Sequence, residues 1–445
     1  MGNFLIKNCE LADFETLTTK KMQILVRENR IEKIDAQIDT PAGFEVIDAK
    51  GMLAMPSFAD CHSHLSQTFM KGPLDDYPIT DWLVRLFRIK AVISPEENYY
   101  SCLLGALSAL RCGTTVINEM ADWPLLDSML EALKDSRIRA TVGISTTDIA
   151  ENDATPVITI DEALKRSQAV CQKVRGIPGR RLRPSVAPAG LPACSREMMQ
   201  NLKRFADERG LIFHTHLAEG RKETEDVRRK YGLDGEAEAL YEFGLLDPHT
   251  LLAHSIWLSD HELDLIKETG AHPVHCPSTN LKISDGIPRI AEMLERGIDV
   301  TLGCDGEASS SNRDMIREAR LAAYLQKGRS LDPTVLDAGT MYRMMTAGGM
   351  QALGYEKMGE IREGNIADFI LVDMDHEIGF FNPDYKLGNF LYAADGRAVD
   401  TVFLDGEILL RGGRFTFIDE EEVLSRAEKA VHSLNKKIRK VLEES

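Results

Sequence analysis

The chain has 445 residues, 43% hydrophobic and 28% charged, the balance of a globular protein with one large domain and a smaller one. Its net charge of −17 argues against nucleic acid or an anionic membrane surface as partner, since both would repel it. No apolar run reaches bilayer-spanning length, and Met1-Gly2-Asn3-Phe4-Leu5-Ile6 opens neither a secretory signal nor a myristoylation signal, which wants Ser or Thr at Ile6. Eight scattered cysteines without a C-x-x-C pair read as thiols in a reducing cytoplasm.

Residues 3–50 alternate apolar and polar in short runs (3–11, 22–26, 30–36, 44–48), broken at Glu28-Asn29 and Pro41-Ala42-Gly43. The far end answers with strands at 367–372, 398–404 and 407–410, punctuated by Asp405-Gly406 and Arg411-Gly412-Gly413. Neither piece alone offers area for a core. The termini, 1–54 and 361–445, are therefore predicted to meet in one composite β-sandwich domain. It carries a last amphipathic helix at 420–442, with Val423, Ala427, Ala430, Leu434 and Ile438 at helical spacing.

Between them strands alternate with helices. Strands are predicted near 53–60, 114–118, 139–144, 182–187, 211–215, 250–253, 271–274 and 300–303. Helices fall at 96–111, 124–135, 161–175, 195–209, 221–231, 259–269, 288–296 and 314–326. Eight βα units in about 300 residues fit a (β/α)8 TIM-type barrel over 55–360 better than an open sheet. The fold class is α/β.

In such a barrel the active site lies at the C-terminal strand ends. Strand one ends in His62-Ser63-His64, whose rings point to the same face of an extended strand. Strand five ends in His214-Thr215-His216-Leu217-Ala218-Glu219, strand six in Ala253-His254-Ser255, and strand eight in Gly303-Cys304-Asp305-Gly306. Any one is commonplace; four facing one mouth are not. Cys61, Cys276 and Cys304 lie beside these motifs and read as small buried thiols rather than ligands.

Residues 61–72, 214–219, 252–254, 275–282, 302–306 and 359–368 together resemble the amidohydrolase superfamily. Within it they are similar to the metal-dependent aminohydrolases that include methylthioadenosine/S-adenosylhomocysteine deaminases, guanine deaminases and triazine hydrolases. The resemblance implies that His62, His64, His216 and Asp305 bind one divalent metal, zinc first and iron(II) as the alternative. Binuclear relatives place a carboxylated lysine at the end of strand four; residues 181–188 here contain none, so one ion is expected.

The same resemblance gives catalytic roles to Glu219, His254 and Asp305. Glu219 shuttles a proton, His254 polarises the attacking water or steadies developing charge, and Asp305 shares the proton. A divalent ion lowers the pKa of its water toward about 7, and the resulting hydroxide attacks the carbon bearing the amino group, releasing ammonia. Two plainer readings stay open at this point: Glu219 as a cap on the helix from Arg221, and His254 as a satisfied core histidine.

Candidate substrate contacts are Trp82 in the long segment 66–94 over the barrel mouth, Asn118, Ala189, His275, Asn280 and Glu307. Glu119, Asp122 and Trp123 are further candidates, His214 is as readily a packing residue as a catalytic one, and His272 has no role. Ala189 stands where related deaminases commonly carry a substrate-touching histidine, Trp257 replaces a frequent histidine, and Glu307 replaces a small residue. The leading expectation is a cytoplasmic, homo-oligomeric, zinc-dependent deaminase of an amino-substituted heterocycle such as methylthioadenosine or S-adenosylhomocysteine. The alternatives are a triazine-type hydrolase displacing chloride or an alkylamine, and a non-catalytic scaffold.

Overall fold

The computed structural model describes residues 2–179, 181–374 and 382–443. It is a mixed α/β chain in two compact units. One comprises Met1–Asp60, Leu107–Val116 and Arg313–Glu420; the other comprises Cys61–Ala106, Ile117–Asn312 and Glu421–Ser445.

The first unit holds a nine-stranded sheet to which both ends of the chain contribute. Its centre is the short strand Leu53–Pro56, which pairs parallel with Gly2–Asp13 on one side and antiparallel with Phe369–Val372 on the other. Phe4, Ile6, Ile24, Phe369 and Phe403 form its core, with the rings of Phe369 and Phe403 stacked at 4.3 Å. The Asp405-Gly406 turn behaves as its residues require. Both have positive φ, and a Cβ on Gly406 would lie 1.8 Å from the carbonyl oxygen of Glu28.

The expected single strand at 53–60 is two strands. Leu53–Pro56 belongs to the nine-stranded sheet, whereas Phe58–His64 belongs to a parallel one. Pro56, with no N–H to donate, closes the first ladder, and Ser57 is the switch. Strand four is also broken, into Leu182–Pro184 and Ala187–Pro188.

The parallel strands form two arcs. One runs Ala187–Pro188, Arg139–Thr146, Thr114–Ala121, Phe58–His64, Asp305–Gly306; the other runs Phe213–Leu217, Thr250–His254, His272–His275, Thr301–Leu302. A parallel bridge from Val186 to Phe213 joins them. Every residue of Phe58–His64, Thr114–Ala121 and Thr250–His254 is buried, as expected for parallel strands covered on both faces. Side-chain caps start the surrounding helices: Ser195 accepts from Met198 N–H, and Ser259 forms a capping box with Glu262.

The helix Ile79–Lys90, not foreseen within the 66–94 segment, buries Trp82, Leu86 and Ile89. These residues cluster with Leu434 and Ile438 of the last helix, Glu420–Glu443. Lys437 of that helix donates to Glu97 at 2.7 Å. No disulfide forms among the described residues, and none of their helices is long and apolar enough to cross a membrane.

Candidate metal and active site

Consecutive strand ends deliver the polar residues to one place. His62 and His64 close Phe58–His64, His214 and His216 lie on Phe213–Leu217, His254 ends Thr250–His254, and Asp305 opens Asp305–Gly306. The ring of His62 stands 4.9 Å from those of His64 and His216, and 5.4 Å from that of His254. Backbone strain gathers here too: Ala218, His254, Ser255 and Asp305 hold φ of 48°, 71°, 52° and 62°, a region that non-glycine residues seldom adopt.

Hydrogen bonds behind the rings fix how they face inward. His64 Nδ1 lies 2.9 Å from the Met120 carbonyl oxygen and His216 Nδ1 2.6 Å from that of Ala189. A carbonyl only accepts, so both rings carry their proton on Nδ1 and present the Nε2 lone pair to the centre. The Nε2 atoms of His62 and His64 lie 3.2 and 3.5 Å from the same oxygen, Asp305 Oδ1. A lone pair on His64 facing a carboxylate at that distance is repulsive unless a cation lies between them. Ligand atoms of His62, His64 and His216, and separately of His62, His254 and Asp305, fall within 4.8 Å of one another. This set of imidazoles and a carboxylate suits zinc or iron(II).

Burial lowers the pKa of His62 to about 4 and that of His216 below its ordinary value, keeping the rings neutral as ligation requires. Burial pushes the Asp305 carboxyl up, but His62, His64 and His254 outweigh it and hold the group well below the usual carboxylate range.

Glu219 Oε1 lies 3.4 Å from His254 Nε2, while His254 Nδ1 donates to Asn280 Oδ1 at 2.9 Å. The helix Arg221–Tyr231 starts at Gly220 without a side-chain cap, so Glu219 does not serve as one. Burial pushes its carboxyl up to about 8. Sequence reasoning missed Asp285, which is 5% exposed and hydrogen-bonds with Glu219. Burial and then Glu219 push it up to about 10, since two carboxyls in contact cannot both ionise readily. Within Ser284-Asp285-Gly286 it reads as a turn, and nothing in the sequence marks it otherwise.

A cavity of about 140 Å³ opens onto this cluster. Its inner end is lined by His64, His216, Glu219, His254 and Asp305. Its outer walls are Ile79, Trp82, Leu83, Leu86 and Phe87 from one helix, and Ala189, Gly190, Pro192 and Ala193 opposite.

The model of the amidohydrolase family matches residues 53–409. The chain belongs to the amidohydrolase family. It is 34% identical over 430 residues to the 5-methylthioadenosine/S-adenosylhomocysteine deaminase of Aquifex aeolicus, covering 96% of each chain. It is 32% identical over 418 residues to the 5'-deoxyadenosine deaminase of Methanothermobacter thermautotrophicus, covering 93% of this chain and 95% of the other. A crystal structure of an adenosine deaminase from Xanthomonas campestris with bound zinc superposes with a TM-score of 0.87 at 26% identity, over 98% of this chain and 99% of that one.

In this amidohydrolase the candidate substrate contacts separate. Trp82 and Ala189 line the cavity. Asn280 is buried and orients His254, and His275 is fully buried nearby. Asn118 donates to the Cys61 carbonyl at 3.0 Å, holding the strand that carries His62. Glu307 pairs with Lys71 at 2.7 Å and does not line the cavity. Glu119 accepts the Leu65 N–H at 2.9 Å, and Asp122 accepts from Ser66 and Lys90 at 3.0 and 2.9 Å. Trp257 donates to the Asp285 carbonyl at 2.9 Å, and His272 Nδ1 lies 3.4 Å from the Asp299 carbonyl.

Proposed function

We propose that this amidohydrolase is a hydrolytic deaminase of an adenosine-type nucleoside or a closely related aminoheterocycle. His62, His64, His216 and Asp305 hold one divalent ion, zinc before iron(II). The observation that carries this reading is the lone pair of His64 Nε2 aimed at Asp305 Oδ1 from 3.5 Å, behind which a carbonyl fixes the tautomer. The substrate class rests on the two relatives, both deaminases of adenosine-type nucleosides.

A divalent ion supplies a water of lowered pKa at neutral pH. The chain's own residues do the rest. Glu219 takes the proton of the attacking water and hands it to a ring nitrogen of the substrate. His254, oriented by Asn280, faces Glu219 and the charge that develops as the amino-bearing carbon becomes tetrahedral. Asp305 accepts the second proton, which leaves with ammonia. The helix Ile79–Lys90 shields the site from bulk water and packs Trp82 against the heterocycle.

We also infer that the two parallel arcs close into a (β/α)8 barrel spanning 55–360. Support comes from the Val186–Phe213 bridge and from the two-residue gap between Thr301–Leu302 and Asp305–Gly306. The segments 1–54 and 361–419 then form the composite β domain, to which the shared nine-stranded sheet lends support, and the helix Glu420–Glu443 is assigned to the other unit.

The test is ammonia release by zinc-loaded protein from 5'-deoxyadenosine, methylthioadenosine, S-adenosylhomocysteine, guanine and an aminotriazine. Turnover of at least one adenosine-type nucleoside is expected. Full metal occupancy with no ammonia from any of the panel overturns the proposal.

A further inference from the structure

His214 is unused by the reaction above, yet it is fully buried against a proposed metal ligand. Its Nε2 lies 2.9 Å from His62 Nδ1, with the rings edge-to-face at 4.9 Å. This sets His62 apart from His64 and His216, whose Nδ1 atoms meet backbone carbonyls that tolerate one tautomer only. An imidazole nitrogen can donate or accept, so His62 alone of these three faces a partner that permits both. His214 Nδ1 has no hydrogen-bond partner among the described residues.

Two arrangements follow, each with one proton per ring. In the first, His214 Nε2–H donates to His62 Nδ1, and the proton on His62 Nε2 faces Asp305 Oδ1 from 3.2 Å. The His214 N–H then has an acceptor, the His62 N–H faces a carboxylate, and His62 offers no lone pair to a cation. In the second, the proton of His214 Nε2 sits on His62 Nδ1, the proton of His62 Nε2 has left through solvent, and His214 takes one on Nδ1. His62 Nε2 is then a ligand, and His214 bears the buried N–H without an acceptor. The first suits the metal-free site and the second the loaded one.

We propose that His214 is a positioning residue that sets the tautomer of His62, and that metal loading inverts the tautomers of both rings. This rests on the reading that His62 is a ligand. Partners behind metal-bound histidines commonly contribute 10- to 100-fold in metal affinity, on the order of what is expected here.

The experiment measures zinc affinity of the full-length protein by chelator competition, together with the absorption spectrum of the cobalt(II) form. His214→Leu, which removes the partner, should weaken zinc binding about 10- to 100-fold and alter the cobalt spectrum. His214→Gln, whose amide oxygen reaches the same place and accepts from His62 Nδ1, should restore affinity to within a few-fold of wild type. Equal affinity in wild type and His214→Leu, or equal loss in Leu and Gln variants, overturns the proposal. If wild type itself binds no stoichiometric zinc, the ligand reading fails instead. Should His214→Leu not fold, 15N shifts of the histidines in wild-type protein decide. A proton on His214 Nδ1 in the zinc form and not in the metal-free form is required, and the same tautomer in both overturns it.

Discussion

The two ends of one cavity are built differently. At the inner end the rings of His64, His216 and His254 are held from behind by Met120, Ala189 and Asn280; His64, His254 and Asp305 are buried, and His216 and Glu219 are partly so. At the outer end Ile79, Leu83 and Phe87 of one helix face the short loop Ala189–Gly190 and Pro192–Ala193, with mostly apolar surface and few fixed polar groups. The inner end specifies a reaction because the lone pairs of His64, His216 and His254 each have one allowed direction. The outer end only sets a shape, so chemistry and specificity can be perturbed separately.

The largest effect should come from the inner end. Glu219→Gln should lower kcat by about 10²- to 10⁴-fold while zinc content stays at wild-type level, measured by steady-state ammonia release and metal analysis. A loss under tenfold would remove Glu219 from the proton path. The same variant has a second signature in metal-free protein. With the Glu219 carboxyl raised by burial from 4.5 to about 8, the folded state holds one more proton than the unfolded state across that window. Its contribution to stability is complete below pH 4.5 and is lost as pH rises through about 8. Melting temperatures of metal-free wild type should therefore decline from pH 5 to pH 8.5 more steeply than those of Glu219→Gln. Parallel curves would place the shifted proton elsewhere, Asp285 first.

The outer end should answer more weakly and in a different coordinate. Ala189→His should change the ratio of kcat/KM between adenosine-type nucleosides and other aminoheterocycles by about tenfold, the worth of roughly one hydrogen bond. The Ala189 carbonyl that holds His216 is backbone, so zinc binding should not move. A fall in metal occupancy would mean that the two ends are coupled.

This division also decides what the amino-acid sequence made legible. His62, His64, His216, His254 and Asp305 sit at or beside the ends of short apolar runs, and parallel pairing of such runs brings their ends to one edge, so their placement is legible from spacing. The groups that hold them were hidden, because Met120 and Ala189 act through backbone oxygens and leave no side-chain signature. Asp285 was hidden by its turn setting, and its contact with Glu219 depends on Asn280, whose carbonyl accepts the Asp285 N–H at 2.9 Å. The helix Ile79–Lys90 is not foreseen because the segment 66–94 shows in sequence only as a cover for the mouth, although Trp82, Leu86 and Ile89 recur at helical spacing. The split at Ser57 was invisible because both halves are apolar.

The smallest effect separates two readings of one residue. From sequence, Glu307 is a candidate substrate contact; in the fold its carboxylate is 2% exposed, pairs with Lys71 at 2.7 Å, and lies outside the cavity lining. Glu307→Gln should therefore leave KM within about twofold and cost no more than about 1 kcal/mol of stability, since Lys71 is 44% exposed and water can take over its solvation. The amide oxygen still accepts from Lys71, so packing around it is retained. Kinetics across the substrate panel and a thermal melt check both expectations. A tenfold rise in KM for one substrate alone would return Glu307 to the outer wall and make that wall less apolar than its lining residues suggest.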